Sequence, residues 1–155
     1  MKIKVRQKAD FHFIGTGEDF TAELPIDAAG HVGGKGRGFR PPGLLMYSVA
    51  SCMGIHAYEE LHKAGKHVEN VEVETVSATR RETSPKVFTA ITLQFRMKGK
   101  DVTDEDIKAG ILRALTTSCS IAVMVNMVTP ITCKYEVDVA GKMLTGTVTA
   151  PAAKL

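Results

Sequence analysis

Residues 41–65 read PPGLLMYSVASCMGIHAYEELHKAG, and the fold follows from how such a segment must be housed. Pro41 and Pro42 suit the first turn of a helix, and Gly65 suits its end. Between them the first three to four turns are apolar or small on every side, whereas Glu59, Glu60, His62 and Lys63 crowd the last turns. The pattern predicts a helix that begins buried and emerges into water. Ala50, Ser51, Gly54 and Ala57 leave room for another backbone, so a second helix is expected to cross near Cys52.

Strand patterns flank this helix. Residues 2–6 put Ile3 and Val5 on one face and Lys2, Lys4 and Arg6 on the other, and 11–14 and 20–26 follow around Gly15-Thr16-Gly17, predicting a small antiparallel sheet. The glycine-rich run 31–43, HVGGKGRGFRPPG, is expected to be a flexible lid-like loop carrying Lys35, Arg37 and Arg40. Residues 68–80 and 87–97 form two long alternating segments around 81–85, and the second has a solid apolar face of Ile91, Leu93, Phe95 and Met97. They read as a hairpin.

Thr103 followed by Asp106 is a carboxylate variant of the capping box and predicts a helix through Leu115. Thr116-Thr117-Ser118 breaks it, and a second helix is expected over Cys119–Val128, ahead of Pro130. Ile131, Cys133, Tyr135 and Val137 alternate with polar residues in a further strand; 141–155 reads either as an edge strand near Val148 or as a frayed tail. Strands segregated from paired helices indicate an α+β fold. A chain of 155 residues is of the length of a single domain, 1–155.

Composition narrows the function. Hydrophobic residues at 44% and charged residues at 24% are ordinary globular values. The balance of 20 basic against 17 acidic residues, with the basic ones mostly scattered, does not ask for nucleic acid. The segment MKIKVRQKADFHF lacks the apolar run of a secretory signal, and the uncharged stretch 44–57 is shorter than the ~20 residues of a bilayer span. A cytoplasmic protein without a membrane partner is expected. Three cysteines in such a chain point to metal binding, redox chemistry or simple burial rather than to a disulfide framework.

Cys133, on the apolar side of its strand, reads as a small buried hydrophobe. Cys119 follows Thr116-Thr117-Ser118 at a helix start, where backbone N–H groups favour a thiolate, so it is expected to be the more readily ionised thiol. Cys52 lies about three turns into its helix with His56 one turn later on the same face, a base, a hydrogen-bond partner or simply a packed residue. A metal site from Cys52, His56 and Cys119 lacks the paired spacing zinc favours and is not expected. The loop GGKGRG lacks the Gly-Lys-Ser/Thr ending of a P-loop.

The run GGKGRGFRPPGLLMYSVASCMGIHAY at 33–58, and CSIAVMVNMVTPITCKYEV at 119–137 after a hairpin, resemble the OsmC/Ohr family of osmotically inducible and organic-hydroperoxide-resistance proteins. The likeness spans roughly residues 30–139. It implies antiparallel sheets packed around two central cysteine-bearing helices in an intertwined homodimer. It also implies a cysteine peroxidase with no metal or organic cofactor. In that reading Cys52 takes the peroxidatic position and Cys119 the resolving one, with an organic hydroperoxide as substrate and an external dithiol, such as one of lipoyl type, as reductant. The resemblance thus assigns first attack to Cys52, against the electrostatic reading that favours Cys119.

Family peroxidases place a glutamate just after the helix-opening proline, paired with an arginine from the N-terminal sheet. This chain has Pro41-Pro42-Gly43-Leu44, and only Arg6 in the sheet; Arg37 and Arg40 are substitutes by charge alone, and His56 is the nearest alternative partner for Cys52. A competing reading is a non-catalytic OsmC-like dimer that binds a small apolar ligand among Met46, Met53, Met124 and Met127.

Overall fold

Alternating charge and apolarity at the start of the chain gives three antiparallel strands, β1 (Ile3–Ala9), β2 (His12–Gly17) and β3 (Phe20–Asp27), in the order β1-β2-β3. The computed structural model describes residues 1–150. The chain divides into two compact units, Met1–Tyr47 and Ser48–Leu155.

In the first unit the loop after β3 is built around one carboxylate. Asp27 is 1% exposed and accepts backbone N–H groups from Ala28 at 2.9 Å, Lys35 at 3.0 Å and Arg37 at 2.9 Å, together with the Arg37 Nε at 3.3 Å. Phe39 clasps the far end of the loop through paired backbone bonds, donating to Pro25 O and accepting from Asp27 N, both at 2.9 Å. The glycines serve close approach rather than looseness. A Cβ on Gly34 would lie 1.8 Å from Ala28 O, and one on Gly38 would lie 2.4 Å from the Pro25 carbonyl. The expected flexible lid is therefore a wound loop tied to a buried acid, because the carboxylate satisfies donors that have no ladder to join.

The long helix α1 (Pro41–Lys63) begins at Pro41 as read and ends in a Schellman turn, with Gly65 at φ +72 and bonds from Lys66 N to Leu61 O and Gly65 N to His62 O. Its buried residues, Val49, Met53, Ala57 and Leu61, recur every four positions and form one stripe. Met53 is core rather than the lining of an adaptable pocket.

The second unit is organised by a four-stranded sheet, β4 (Val68–Arg80), β5 (Phe88–Gly99), β6 (Ile131–Val139) and β7 (Lys142–Thr149), in that order. β4 and β5 form the expected hairpin, and Ile91, Leu93, Phe95 and Met97 are buried. The alternation on β4 is not continuous: register shifts between Thr75 and Ser77 and between Thr79 and Arg80 leave Val76 exposed and turn Ala78 inward, where regular alternation would point Ser77 and Thr79. β5 and β6 pair in parallel, Ile91 with Ile131 through Gly99 with Val139. Every other strand pair is antiparallel as expected, and this one is parallel because a crossover of helices between two strands permits parallel pairing where a hairpin does not. The tail resolves to the edge strand β7 as far as Thr149; 151–155 lie outside the described residues.

The crossover holds α2 (Asp104–Arg113), a π-helical turn (Ala114–Ser118) and α3 (Ser120–Asn126). The capping box at Thr103 and Asp106 is present, and Tyr135 of β6 donates its buried hydroxyl to Asp104. A Cβ on Gly146 would lie 2.2 Å from that hydroxyl oxygen, so the strand facing Tyr135 needs glycine there. α2 passes α1 at Gly110, whose Cβ position is 2.9 Å from Leu61 Cγ; Gly54 of α1 instead faces Val73 of β4. The crossing thus sets Gly110 of α2 against Ala57 and Leu61 of α1, so of the four small residues singled out on α1 Ala57 lies at this contact and Gly54 faces the sheet.

The Asp27 carboxyl is held well below the usual carboxylate range, first by the Arg37 backbone N–H. A depressed folded pKa contributes order that is fully present above the unfolded carboxyl value of about 3.9 and is lost as pH falls through the folded one. Asp27→Asn should therefore expose the 33–40 loop to a protease at neutral pH and abolish its acid-dependent opening; protection equal to wild type across the pH range would refute the role given to Asp27.

Candidate functional site: a thiol pair between a helix and a capped turn

Both candidate thiols belong to the second unit and are free. Cys52, in the third turn of α1, is half-buried, and Cys119 is fully buried. The π-helical turn delivers Cys119: its own N–H closes the turn on Ala114 O at 3.0 Å, after which the backbone bends by 79° into α3. Such wide turns recur at functional positions. Cys119 has extended φ and ψ of −85 and 100, so it caps α3 instead of starting it. Its Sγ accepts the Ala122 N–H at 3.3 Å, and the Cys52 side chain lies close enough to act on its ionisation. The two cysteines singled out in the sequence therefore meet.

The electrostatic expectation for Cys119 is reversed. Burial pushes its thiol up to about 12, the Cys52 contact adds to the shift, and the Ala122 N–H offsets it only in part. Desolvation outweighs the dipole because α3 has only seven residues and the sulfur touches no water. Burial likewise pushes Cys133 up to about 12, in the apolar row with Ile131, Tyr135 and Val137, as its sequence position implied.

The accessory residues are placed as follows. His56, one turn beyond Cys52, has Nδ1 2.9 Å from Glu59 Oε2, and Glu59 also binds Lys63 at 2.8 Å. Lys63 foremost, then His56, lowers the Glu59 pKa. Arg37 is bound to Asp27 in the first unit, Arg40 is exposed just before α1, and Arg6 pairs with Glu23 at 3.1 Å. Gly43, in the first turn of α1, is spacious: a Cβ there meets no atom within 4 Å. Among the described residues no group of three or more His, Cys, Asp or Glu is arranged to hold a metal ion.

A charged group missed in the sequence lies beside the pair. Glu60 of α1 accepts the Ser118 hydroxyl at 2.7 Å and the Arg113 Nε at 2.9 Å, with Lys63 Nζ at 3.5 Å. Its side chain is only 12% exposed, and its pKa is lowered first by Ser118 and then by Arg113. The available signal was spacing, since 52, 56 and 60 fall on one stripe of α1. Its partners come from the crossover, which local patterning does not position.

Residues 34–140 match the family described as OsmC-like protein. Protein YhfA of Escherichia coli K12 is 31% identical over 100 residues, covering 64% of this chain and 74% of that protein. The fold is similar to that of an OsmC-like protein from Mycoplasma pneumoniae, with 14% identity, a TM-score of 0.74 and coverage of 88% and 96% of the two chains. It is also similar to an organic hydroperoxide resistance protein OsmC from Legionella pneumophila, with 16% identity, a TM-score of 0.62 and coverage of 89% and 96%. No single helix among the described residues is long and apolar enough to cross a membrane.

The two thiols should differ sharply toward an alkylating agent. At pH 8 iodoacetamide is expected to modify half-buried Cys52 at least about tenfold faster than Cys119, which is both inaccessible and protonated. Peptide mass mapping reads the order, and earlier labelling of Cys119 would contradict the site.

Proposed function

The chain belongs to the OsmC-like protein family, and on that footing we propose that it reduces organic hydroperoxides through a Cys52/Cys119 thiol cycle. The observation that carries this reading is that the side chain of a half-buried Cys52 lies close enough to a fully buried Cys119 to act on its ionisation. The Cys52 thiolate attacks the O–O bond; an S–O bond forms, the O–O bond breaks, and the departing alkoxide takes a proton to leave as an alcohol. Cys52 is then a sulfenic acid. The Cys119 thiol displaces its hydroxyl, giving a disulfide and water, and an external dithiol of lipoyl type returns both cysteines to thiols by exchange. The division of labour follows from access: the outer sulfur meets substrate, and the inner one is protected until a neighbour has been oxidised. The organic hydroperoxide resistance protein of similar fold supports the substrate class.

Cys52→Ser should abolish hydroperoxide consumption in the presence of dihydrolipoamide, and Cys119→Ser should leave a Cys52 that over-oxidises after the first turnover. Turnover by the Cys52 variant at the wild-type rate would rule the cycle out. Loss of two thiols per chain after mild peroxide distinguishes this enzyme from a binder of apolar ligands, in which no thiol is lost.

We propose further that the working form is a homodimer. Ile55 at 65% exposure and Met124 at 58%, with Tyr58 and Leu112, leave large apolar side chains on the helices of the second unit in water, as does Val128 at 81% in the turn after α3. Exposed apolar groups of this size are relieved by a partner surface. Sedimentation should give a dimer at micromolar concentration, weakened by Ile55→Asp with Val128→Asp; a wild-type monomer would overturn the assignment.

A further inference from the structure

Glu60 links the two segments that carry the thiols. It stands on α1 two turns beyond Cys52, and its Oε1 accepts the hydroxyl of Ser118, the residue immediately before Cys119. Its Oε2 takes the Nε of Arg113, which directly precedes the π-helical turn. One carboxylate therefore grips both ends of the turn that presents Cys119. Ala114 and Leu115 of the turn are buried, and its other polar bonds are few: Thr116 Oγ1 donates to Leu112 O at 2.8 Å, and Cys119 N donates to Ala114 O. Both of those bonds are internal to the crossover. Neither fixes the turn to α1.

We propose that Glu60 is a positioning residue for disulfide formation, a clamp that holds Cys119 at Cys52 by bonding Ser118 and Arg113. The proposal rests on Cys52 and Cys119 forming a disulfide, as in the cycle above, but concerns how they are held together rather than what oxidises them. A thiol and a sulfenic acid on separate segments react at a rate set by how often they are in register, and a charge-assisted bond to a neighbouring residue restricts that motion. Glu60 touches neither sulfur. It acts through the backbone of the turn, and its carboxylate is kept ionised by the same two donors it holds.

The test uses the full chain and two readouts. In the first, one equivalent of cumene hydroperoxide is added with dimedone, and mass spectrometry gives the ratio of trapped Cys52 sulfenic acid to Cys52–Cys119 disulfide. Glu60→Ala and Ser118→Ala should each raise this ratio about tenfold, and Glu60→Gln, which still accepts the Ser118 hydroxyl but turns an amide N–H toward Arg113, should raise it by less than Glu60→Ala does. In the second, the protein is equilibrated with reduced and oxidised dithiothreitol, so that two electrons and two cysteine protons pass to the cyclic disulfide as the protein disulfide forms. The same two alanine variants should shift that equilibrium about tenfold toward the dithiol.

A merely structural Glu60 would lower the melting temperature and leave the ratio and the equilibrium in place, which overturns the proposal. So does failure of the wild type to form the disulfide in the dithiothreitol equilibration. A shifted dithiothreitol equilibrium in a protein that ignores hydroperoxide supports the clamp and rejects the peroxidase cycle. Should Glu60→Ala fail to fold, Ser118→Ala, which removes a single hydroxyl, decides alone.

Discussion

The parallel pairing of β5 with β6 is the constraint on which the second unit depends. Parallel neighbours cannot be joined by a tight turn, so the chain has to return along the length of β5 before β6 can begin. Residues 100–130 make that return, and their helices cover an apolar strand face that would otherwise meet water. α1 is drawn into the same layer, because Gly110 lets α2 approach Leu61 and Ala57. Cys119 falls at the bend in this crossover, which is why it is dry. Its burial and its contact with Cys52 are therefore products of topology before they are products of any local motif.

Carboxylates do much of the fine positioning. Asp27 gathers the backbone of a glycine-rich loop, Asp104 receives the Tyr135 hydroxyl across the α2–β6 gap, and Glu60 spans α1 and the π-helical turn. In each case an acid takes donors that no backbone ladder satisfies, from the irregular loop and turn at Asp27 and Glu60 and from a buried side-chain hydroxyl at Asp104. Such bonds are directional, so they select one arrangement among the many that apolar packing alone would tolerate. The same acids are held below their ordinary pKa by the groups they bind.

The periodic parts of the molecule were legible in the sequence because periodicity is local. The β4–β5 hairpin, the capping box at Thr103, the apolar row on β6 and the two helices bearing cysteines can all be read from residues close together in the chain. The bulges on β4 could not, since Val76 is as apolar as the residues that turn inward. Nor could the parallel register, which depends on where a crossover ends. At the candidate site, the burial of Cys133 in the apolar row of β6 was legible from its strand pattern. The ionisation of Cys119 was not: a helix start signals a stabilised thiolate, but the dominant contribution is desolvation, which only the assembled fold determines. Asp27 and Glu60 escaped notice for a related reason, as an isolated acid looks solvated until its distant donors are known.

Gly43 bears on the history of such a site. Among family peroxidases the resemblance puts a glutamate there, yet in this chain neither crowding nor a left-handed backbone demands glycine; the position is open on every side within 4 Å. Replacement by an acidic side chain needs no compensating change elsewhere, and in a helix it relieves the modest conformational penalty of glycine. Chains with and without that acid are accordingly adjacent in sequence space, separated by a step that the fold neither favours nor resists.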